Sequence, residues 1–293
     1  MTSPGAVGTA VGFVGLGQIG APMAGHLVDW PGGLVVCDVR AEAVAPFTDA
    51  GAAVAATPSE LAASCPVVSV MVRDDDQVRD VVTGSAGLLA GARPGTVVAV
   101  HSTIRPGTAE ALAREASDAG VALVDAPVSG GFMGAHEGTL AVMVGGEDGA
   151  VEACRGPFAL WSSLFVHCGP VGSATRMKLA RNLMHFTAFT AASEAQRLAE
   201  AAGLDVLALG EVVRHSDRVT GGPGAVMIRP TAAALAADDP LRAVFAHTAG
   251  LGEKDLDLAL ELAASLGVDL PLAALARDRL AGALGVPHEE VSP

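Results

Sequence analysis

Three sets of residues in this 293-residue chain combine types and spacings that could do chemistry. Gly15, Gly17 and Gly20 form G-x-G-x-x-G, and Asp38 follows about 20 residues on. Ser129, Gly130 and Gly131 close the stretch Asp125-Ala126-Pro127-Val128-Ser129-Gly130-Gly131. Lys178 and Asn182 stand four apart, on one face of any helix that carries them. The first set suits a dinucleotide. Gly15 permits a tight turn, Gly17 lets the backbone approach a pyrophosphate, and Gly20 lets a helix pack closely on a strand. Asp38 would accept hydrogen bonds from ribose hydroxyls and repel a 2′-phosphate. The second set offers consecutive N–H groups and a hydroxyl, which is either a donor set for a carboxylate or a strand-ending turn. Lys178, among Met177, Leu179 and Leu183, is either a side chain snorkelling to solvent or a proton carrier.

Positioning the glycines takes a strand, a turn and a helix. Val11 to Leu16 is a short apolar run with β-branched members and reads as a buried strand. Ile19 to Trp30 carries Met23, Ala24, Leu27 and Val28 at helical spacing, and Leu34 to Cys37 is a second strand ending at Asp38. That context lifts the motif above a glycine-rich loop. Gln18 and Ile19 in the turn, and Val39 and Arg40 beside the acid, join the expected cofactor site.

Further strands are expected over 67–72, 97–100 and 121–124, with helices between them. Continuous apolar strands alternating with helices predict a parallel sheet covered on both faces. Met71 and Val72 end one strand, and Ser102 and Thr103 follow another. All four therefore fall at carboxyl ends, where open sheets bind ligands. Ser102 and Thr103 serve equally well as caps for the next helix. The character changes near Gly169. From Gly172 to Ala202 the apolar spacing is helical with no proline, and the remainder reads as helices broken at 221–224, 239–240 and 267–271. The sequence thus predicts an α/β Rossmann-type domain over 1–169 and an all-helical domain over 170–293, joined by a long helix.

Composition removes other classes. A net charge of −14 argues against a nucleic-acid partner, which needs a basic face. No unbroken apolar run is long enough to span a membrane, and MTSPGAVGTA lacks the basic segment of a signal peptide. The four cysteines form no C-x-x-C pair and read as reduced core residues of a cytoplasmic protein. The eight histidines show no ligand spacing, so no metal is expected. Tyrosine is absent, which excludes the Tyr–Lys mechanism of short-chain dehydrogenases.

Four stretches resemble one family. GFVGLGQIGAPMAGHL, DAPVSGGFMGAHEGTLAVMVGG, GSATRMKLARN and GEKDLDLAL occur in its order across nearly the whole chain. The family is the β-hydroxyacid dehydrogenases, relatives of 3-hydroxyisobutyrate dehydrogenase and glyoxylate/succinic semialdehyde reductase, with a 6-phosphogluconate dehydrogenase-like character. The resemblance implies that Ser129, Gly130 and Gly131 hold a substrate carboxylate. It implies that Lys178 donates or accepts the proton and that Asn182 hydrogen-bonds the reacting oxygen. Ser102 and Thr103, in HSTIRPGT, would face the nicotinamide and substrate. Lys254 in GEKDL aligns with a lysine near the cofactor, though a surface lysine pairing with neighbouring acids is an equal reading. The family commonly has an aromatic seven residues before that lysine; here His247 stands there, with Phe245 two earlier. His185 and His247 read as structural.

The resemblance implies reversible NAD-linked oxidation of a small β-hydroxyacid, or reduction of the matching semialdehyde. Asp38 favours NAD, and Arg40 could admit NADP by pairing with its phosphate. Phe132 and Met133, after the glycines, suggest a pocket less polar than one for a phosphorylated acid. An Ala/Leu-rich helical domain leaves apolar surface to cover, so a homodimer or homotetramer is expected. Two alternatives are an imine reductase-like NADPH enzyme and a non-catalytic dinucleotide-binding interaction protein. Lys178 speaks against the first, and intact Lys178 with Asn182 against the second.

Overall fold

The computed structural model describes residues 9–287. The chain divides into two compact units, with the boundary after Asn182.

In the first unit, six strands run parallel: β1 (Val11–Val14), β2 (Leu34–Cys37), β3 (Ala53–Val54), β4 (Val67–Val70), β5 (Val97–Val100) and β6 (Ala122–Asp125). Along each strand except β3, whose two residues are exposed, side chains alternate between two cores. Phe13, Val36 and Ala99 enter one, while Val14, Val68 and Val100 enter the other. Helices on both faces cover those cores, which explains why the strands are almost wholly apolar, Ser69 and Asp125 excepted.

Beyond β6 the sheet is no longer purely parallel. Here β7 (Val128–Ser129) and β8 (Leu140–Gly145) pair antiparallel, β8 also runs antiparallel to β6, and β9 (Ser162–Gly169) lies parallel to β8. The spatial order is β3-β2-β1-β4-β5-β6-β8-β7, with β9 on β8. For β7 and β8 the reason is chain length: a parallel crossover needs a dozen or more residues, and the connection from Ser129 to Leu140 is shorter. The parallel sheet expected from the sequence holds for β1 to β6, and the sequence reading did not anticipate the three strands beyond them.

The first helix is also shorter than its apolar spacing suggested. It spans Gly20–Gly25 (α1) rather than reaching Trp30. Past Gly25 the backbone bonds tighten to three-residue spacing, with Leu27 N–H on Ala24 O and Val28 N–H on Gly25 O. The apolar faces of Leu27 and Val28 still pack inward, so periodicity alone could not reveal the end.

The second unit is helical. A 29-residue helix, Ser173–Ala201, belongs to the first unit up to Asn182 and to the second from Leu183. Val206–Thr220, Arg242–Ser265 and Pro271–Leu284 follow, with a short 3-10 turn at Gly222–Val226. Arg277 binds Asp257 through two hydrogen bonds, of 2.7 and 3.1 Å, joining the last two helices. Buried Glu194 accepts from the N–H groups of Leu272 and Ala273 and so caps the last helix. Phe245 lies in a small core with Ala249, Ala281 and Leu284, whereas His247 is exposed. Among the described residues, no helix is long and apolar enough to cross a membrane. Cys37, Cys65 and Cys154 are buried free thiols, and Cys168 is half-buried.

Candidate active site

Adjacent strands end side by side. Gly15 N–H bonds Cys37 O, Met71 N–H bonds Val14 O, His101 N–H bonds Val70 O and Ala126 N–H bonds Val100 O. The residues just past β2, β1, β4, β5 and β6 therefore share one edge, at spacings of about 4.8 Å per strand.

That edge opens into a cleft of about 1290 Å³. Gly15, Gly17, Gln18, Ile19 and Gly20 line it on one side, and Asp38, Val39 and Arg40 close one end. Met71, Val72, Ser102 and Thr103 line it as well. Every residue of the first unit expected to bind a dinucleotide lies here; Lys254 belongs to the second unit. That side chain is exposed on Arg242–Ser265, with Nζ 2.9 Å from Asp255 Oδ1.

The glycines sort by cause. Gly15 has φ +94°, and a Cβ there would collide with Met71 O. A Cβ on Gly20 would collide with Gly15 O and press on Phe13 of β1. At Gly17 a Cβ would meet nothing within 4 Å. The protein itself has no need of glycine at 17, so the open space there fits close approach of a pyrophosphate. The residues present thus suit a dinucleotide.

At the ribose end, Asp38 is already engaged. Its Oδ2 accepts from Leu16 N–H (2.6 Å) and Arg40 Nη2 (3.2 Å), and its Oδ1 accepts from Arg40 N–H (2.9 Å) and Nε (3.1 Å). Partial burial works to raise the Asp38 pKa. The Arg40 and Leu16 hydrogen bonds outweigh it and hold the carboxyl below its ordinary value. Arg40 also reaches Leu16 O (3.1 Å).

Ser102 is buried, and its hydroxyl donates to Val72 O (2.7 Å) while accepting from Val72 N–H (3.0 Å). This bridge locks the ends of β4 and β5 together. Its neighbour His101 is fully buried, with Nδ1 2.8 Å from Ala126 O and Nε2 3.0 Å from Ser69 Oγ. Burial pushes its pKa down to about 4, against a smaller upward pull from Ala126 O. The imidazole is therefore neutral and ties β5 to β6.

The second cluster is built on the chain that leaves β6. Val128–Ser129 forms β7, and Gly130 (φ +136°) and Gly131 (φ +64°) turn it into the helix Gly131–Glu137. Both glycines are exposed, which leaves their backbone accessible to a ligand. Phe132 and Met133, next along, are 55% and 60% exposed. Lys178 is buried, and its Nζ donates to Val128 O at 2.6 Å. Burial, helped by Arg181, lowers its pKa from 10.5 to about 8. The structure thus sets Lys178 beside the Ser129–Gly131 turn. Asn182 is half-buried one turn on, its Oδ1 3.3 Å from Arg181 Nη1. His185 lies against Phe189, with ring centroids 4.3 Å apart.

Sequence reasoning passed over part of the cleft. Ala56, Pro58, Arg73, Gln77 and Gly87 also line it. They belong to no motif, and only their place after β3 and β4 could have flagged them. It also missed what Asp125 does, because its partners lie in Gly172–Thr175, far along the chain.

The chain matches known proteins along nearly its whole length. Residues 10–169 match the NAD binding domain of 6-phosphogluconate dehydrogenase, and residues 172–287 match the NAD-binding domain of NADP-dependent 3-hydroxyisobutyrate dehydrogenase. An uncharacterized oxidoreductase of Mycobacterium tuberculosis is 55% identical over 283 residues, covering 97% of this chain and 96% of that one. An NAD-dependent L-serine dehydrogenase of Pseudomonas aeruginosa is 34% identical over 268 residues, covering 91% and 89%. The crystal structure of a protein described as an oxidoreductase from Mycobacterium avium superposes with a TM-score of 0.90. It is 50% identical and covers 95% of this chain and 99% of that one.

Proposed function

The chain belongs to the β-hydroxyacid dehydrogenase family, as an NAD(P)-dependent enzyme of small molecules, and on that premise we propose that it oxidises short β-hydroxyacids with NAD. The observation that carries the reading is a buried lysine, at a pKa of about 8, against the carbonyl before Ser129. A lysine so placed is neutral often enough to take a proton and charged often enough to return one.

The roles follow from position. The Ser129–Gly131 turn holds the carboxylate, whose negative charge suits accessible N–H groups. Lys178 and Asn182 meet the hydroxyl oxygen, and Lys178 removes its proton during oxidation or supplies it during reduction. Bound NAD accepts the hydride, or its reduced form returns it. Gly15 to Gly20 hold the pyrophosphate, and Asp38 takes the ribose. Ser102 acts by fixing Val72 at the cleft wall, and Lys254 is left as an auxiliary cofactor contact.

3-Hydroxyisobutyrate and L-serine, which the relatives' names supply, share a hydroxyl one carbon removed from the carboxylate-bearing carbon. They differ at the central substituent, methyl against ammonium. Exposed Phe132 and Met133, next to the turn, favour the apolar one. Steady-state kinetics with both acids and a phosphorylated hydroxyacid test this. A kcat/KM for 3-hydroxyisobutyrate about tenfold above that for L-serine, and none for the phosphorylated acid, is the expected order. Faster turnover of the phosphorylated acid would contradict it.

The active form is a homodimer or homotetramer. Leu207, Val219 and Met227 of the second unit are each at least 70% exposed, more apolar surface than a soluble monomer ordinarily shows. Light scattering at micromolar protein checks it. The free thiols accord with a reducing cytoplasm.

A further inference from the structure

Asp125 is 0% exposed, yet it is not one of the residues that meet substrate or cofactor in the roles above. Its carboxyl group accepts three hydrogen bonds: Gly172 N–H at 2.8 Å, Thr175 N–H at 2.7 Å and Thr175 Oγ–H at 2.7 Å. These donors are the opening turn of the helix Ser173–Ala201, which carries Lys178. An acid at a helix start satisfies orphan N–H groups and complements the helix dipole. The residue before that helix, Gly172, has no side chain with which to cap it. The capping oxygens come instead from the end of β6.

The source of the cap matters because the same segment leads into the carboxylate-binding turn. Three residues after Asp125, Val128 O accepts from Lys178, three residues after Thr175. Helix and segment are thus tied at two matched points, Thr175 to Asp125 and Lys178 to Val128, each joining residues fifty apart in sequence. The surrounding backbone is shaped to leave room for this carboxyl group. Gly145 lies opposite Asp125 in the sheet, and a Cβ there would collide with Asp125 Oδ1 and approach Pro170 O at 2.9 Å.

We propose that Asp125 is the positioning residue of the active site, clamping the start of the lysine-bearing helix so that Lys178 stays in register with the Ser129–Gly131 turn. This rests on Lys178 being the proton carrier. Loosening the clamp moves and hydrates the amine without touching the dinucleotide cleft, so the loss falls on proton transfer.

Thr175→Val keeps the shape and removes one clamp bond; Thr175→Ser keeps the hydroxyl; Asp125→Asn sets an amide against N–H donors. In folded Thr175→Val, kcat is expected to fall at least about tenfold. The Lys178 limb of the pH profile is expected to move upward from about 8 toward the ordinary lysine value of 10.5. Dinucleotide Kd stays as in the wild type, Thr175→Ser recovers both rate and limb, and Asp125→Asn shows the larger loss. A wild-type rate and limb in Thr175→Val would overturn the clamp, as would a lost rate with an unmoved limb. Lys178→Ala, run beside them, separates the two ideas. If that variant keeps the limb, Lys178 is not the proton carrier; if it loses the limb while Thr175→Val leaves it unmoved, only the clamp fails.

Discussion

Lys178 Nζ donates to the carbonyl oxygen of Val128 at 2.6 Å, one residue before Ser129. An ammonium has three donors, so two remain for a substrate oxygen held by the neighbouring turn. On the proposed reading, the contact holds the amine beside the turn that takes the substrate carboxylate.

The first expectation concerns pH. Burial and Arg181 set Lys178 at about 8. In oxidation the lysine must start neutral, so kcat/KM should rise with pH and level off above about 8. In reduction it must start protonated, so the rate should fall through the same range. Profiles in both directions check the sign; a shared direction would refute the assignment.

Gly17→Ala separates binding from folding. Its Cβ would meet no protein atom within 4 Å, so Tm should hold, while dinucleotide affinity should drop at least about tenfold. Gly15→Ala should do the opposite first, lowering Tm, because φ +94° and Met71 O leave no room. Calorimetry and dinucleotide titration of both variants distinguish the cases.

These two glycines also show how far the sequence reached. Strand, turn and acid were legible because periodicity and glycine spacing are local signals. Lys178 and Ser129 were visible as types, but their meeting through Val128 was not. Nothing local reports a contact across fifty residues. The tertiary link from Asp125 to Thr175 escaped for the same reason. The end of α1 was overrun because a tightening backbone leaves the apolar pattern unchanged, and β8 was not anticipated because its pairing with β6 and β7 is set by contacts outside its own stretch.

On the proposed reading, cofactor choice turns on Asp38 and Arg40. Both carboxyl oxygens of Asp38 are occupied in part by Arg40, which must swing aside for a ribose. Asp38 should still favour NAD, by about tenfold in kcat/KM or more. Asp38→Ser should turn preference toward NADP, and Arg40→Ala should widen the preference for NAD. Kinetics with both cofactors decide it; a wild-type preference for NADP would put Arg40 in control.

His101 makes an acid-stability prediction. Its folded pKa is about 4 against an ordinary 6.5, so the unfolded chain binds more protons between those values. Stability contributed by neutral His101 is therefore present above pH 6.5 and lost as pH falls toward 4, on the order of 3 kcal/mol in all. Denaturant unfolding of the wild type and His101→Gln across that range should show the slope shrinking in the variant. An equal slope in both would mean other groups carry it.

The proton-carrier role of Lys178 is tested most directly by Lys178→Ala, with turnover of 3-hydroxyisobutyrate and dinucleotide Kd measured on the same preparation. Removing the amine should lower kcat at least about a hundredfold and leave Kd essentially unchanged, since only proton transfer is lost. A folded variant that kept most of its turnover with intact dinucleotide binding would contradict it.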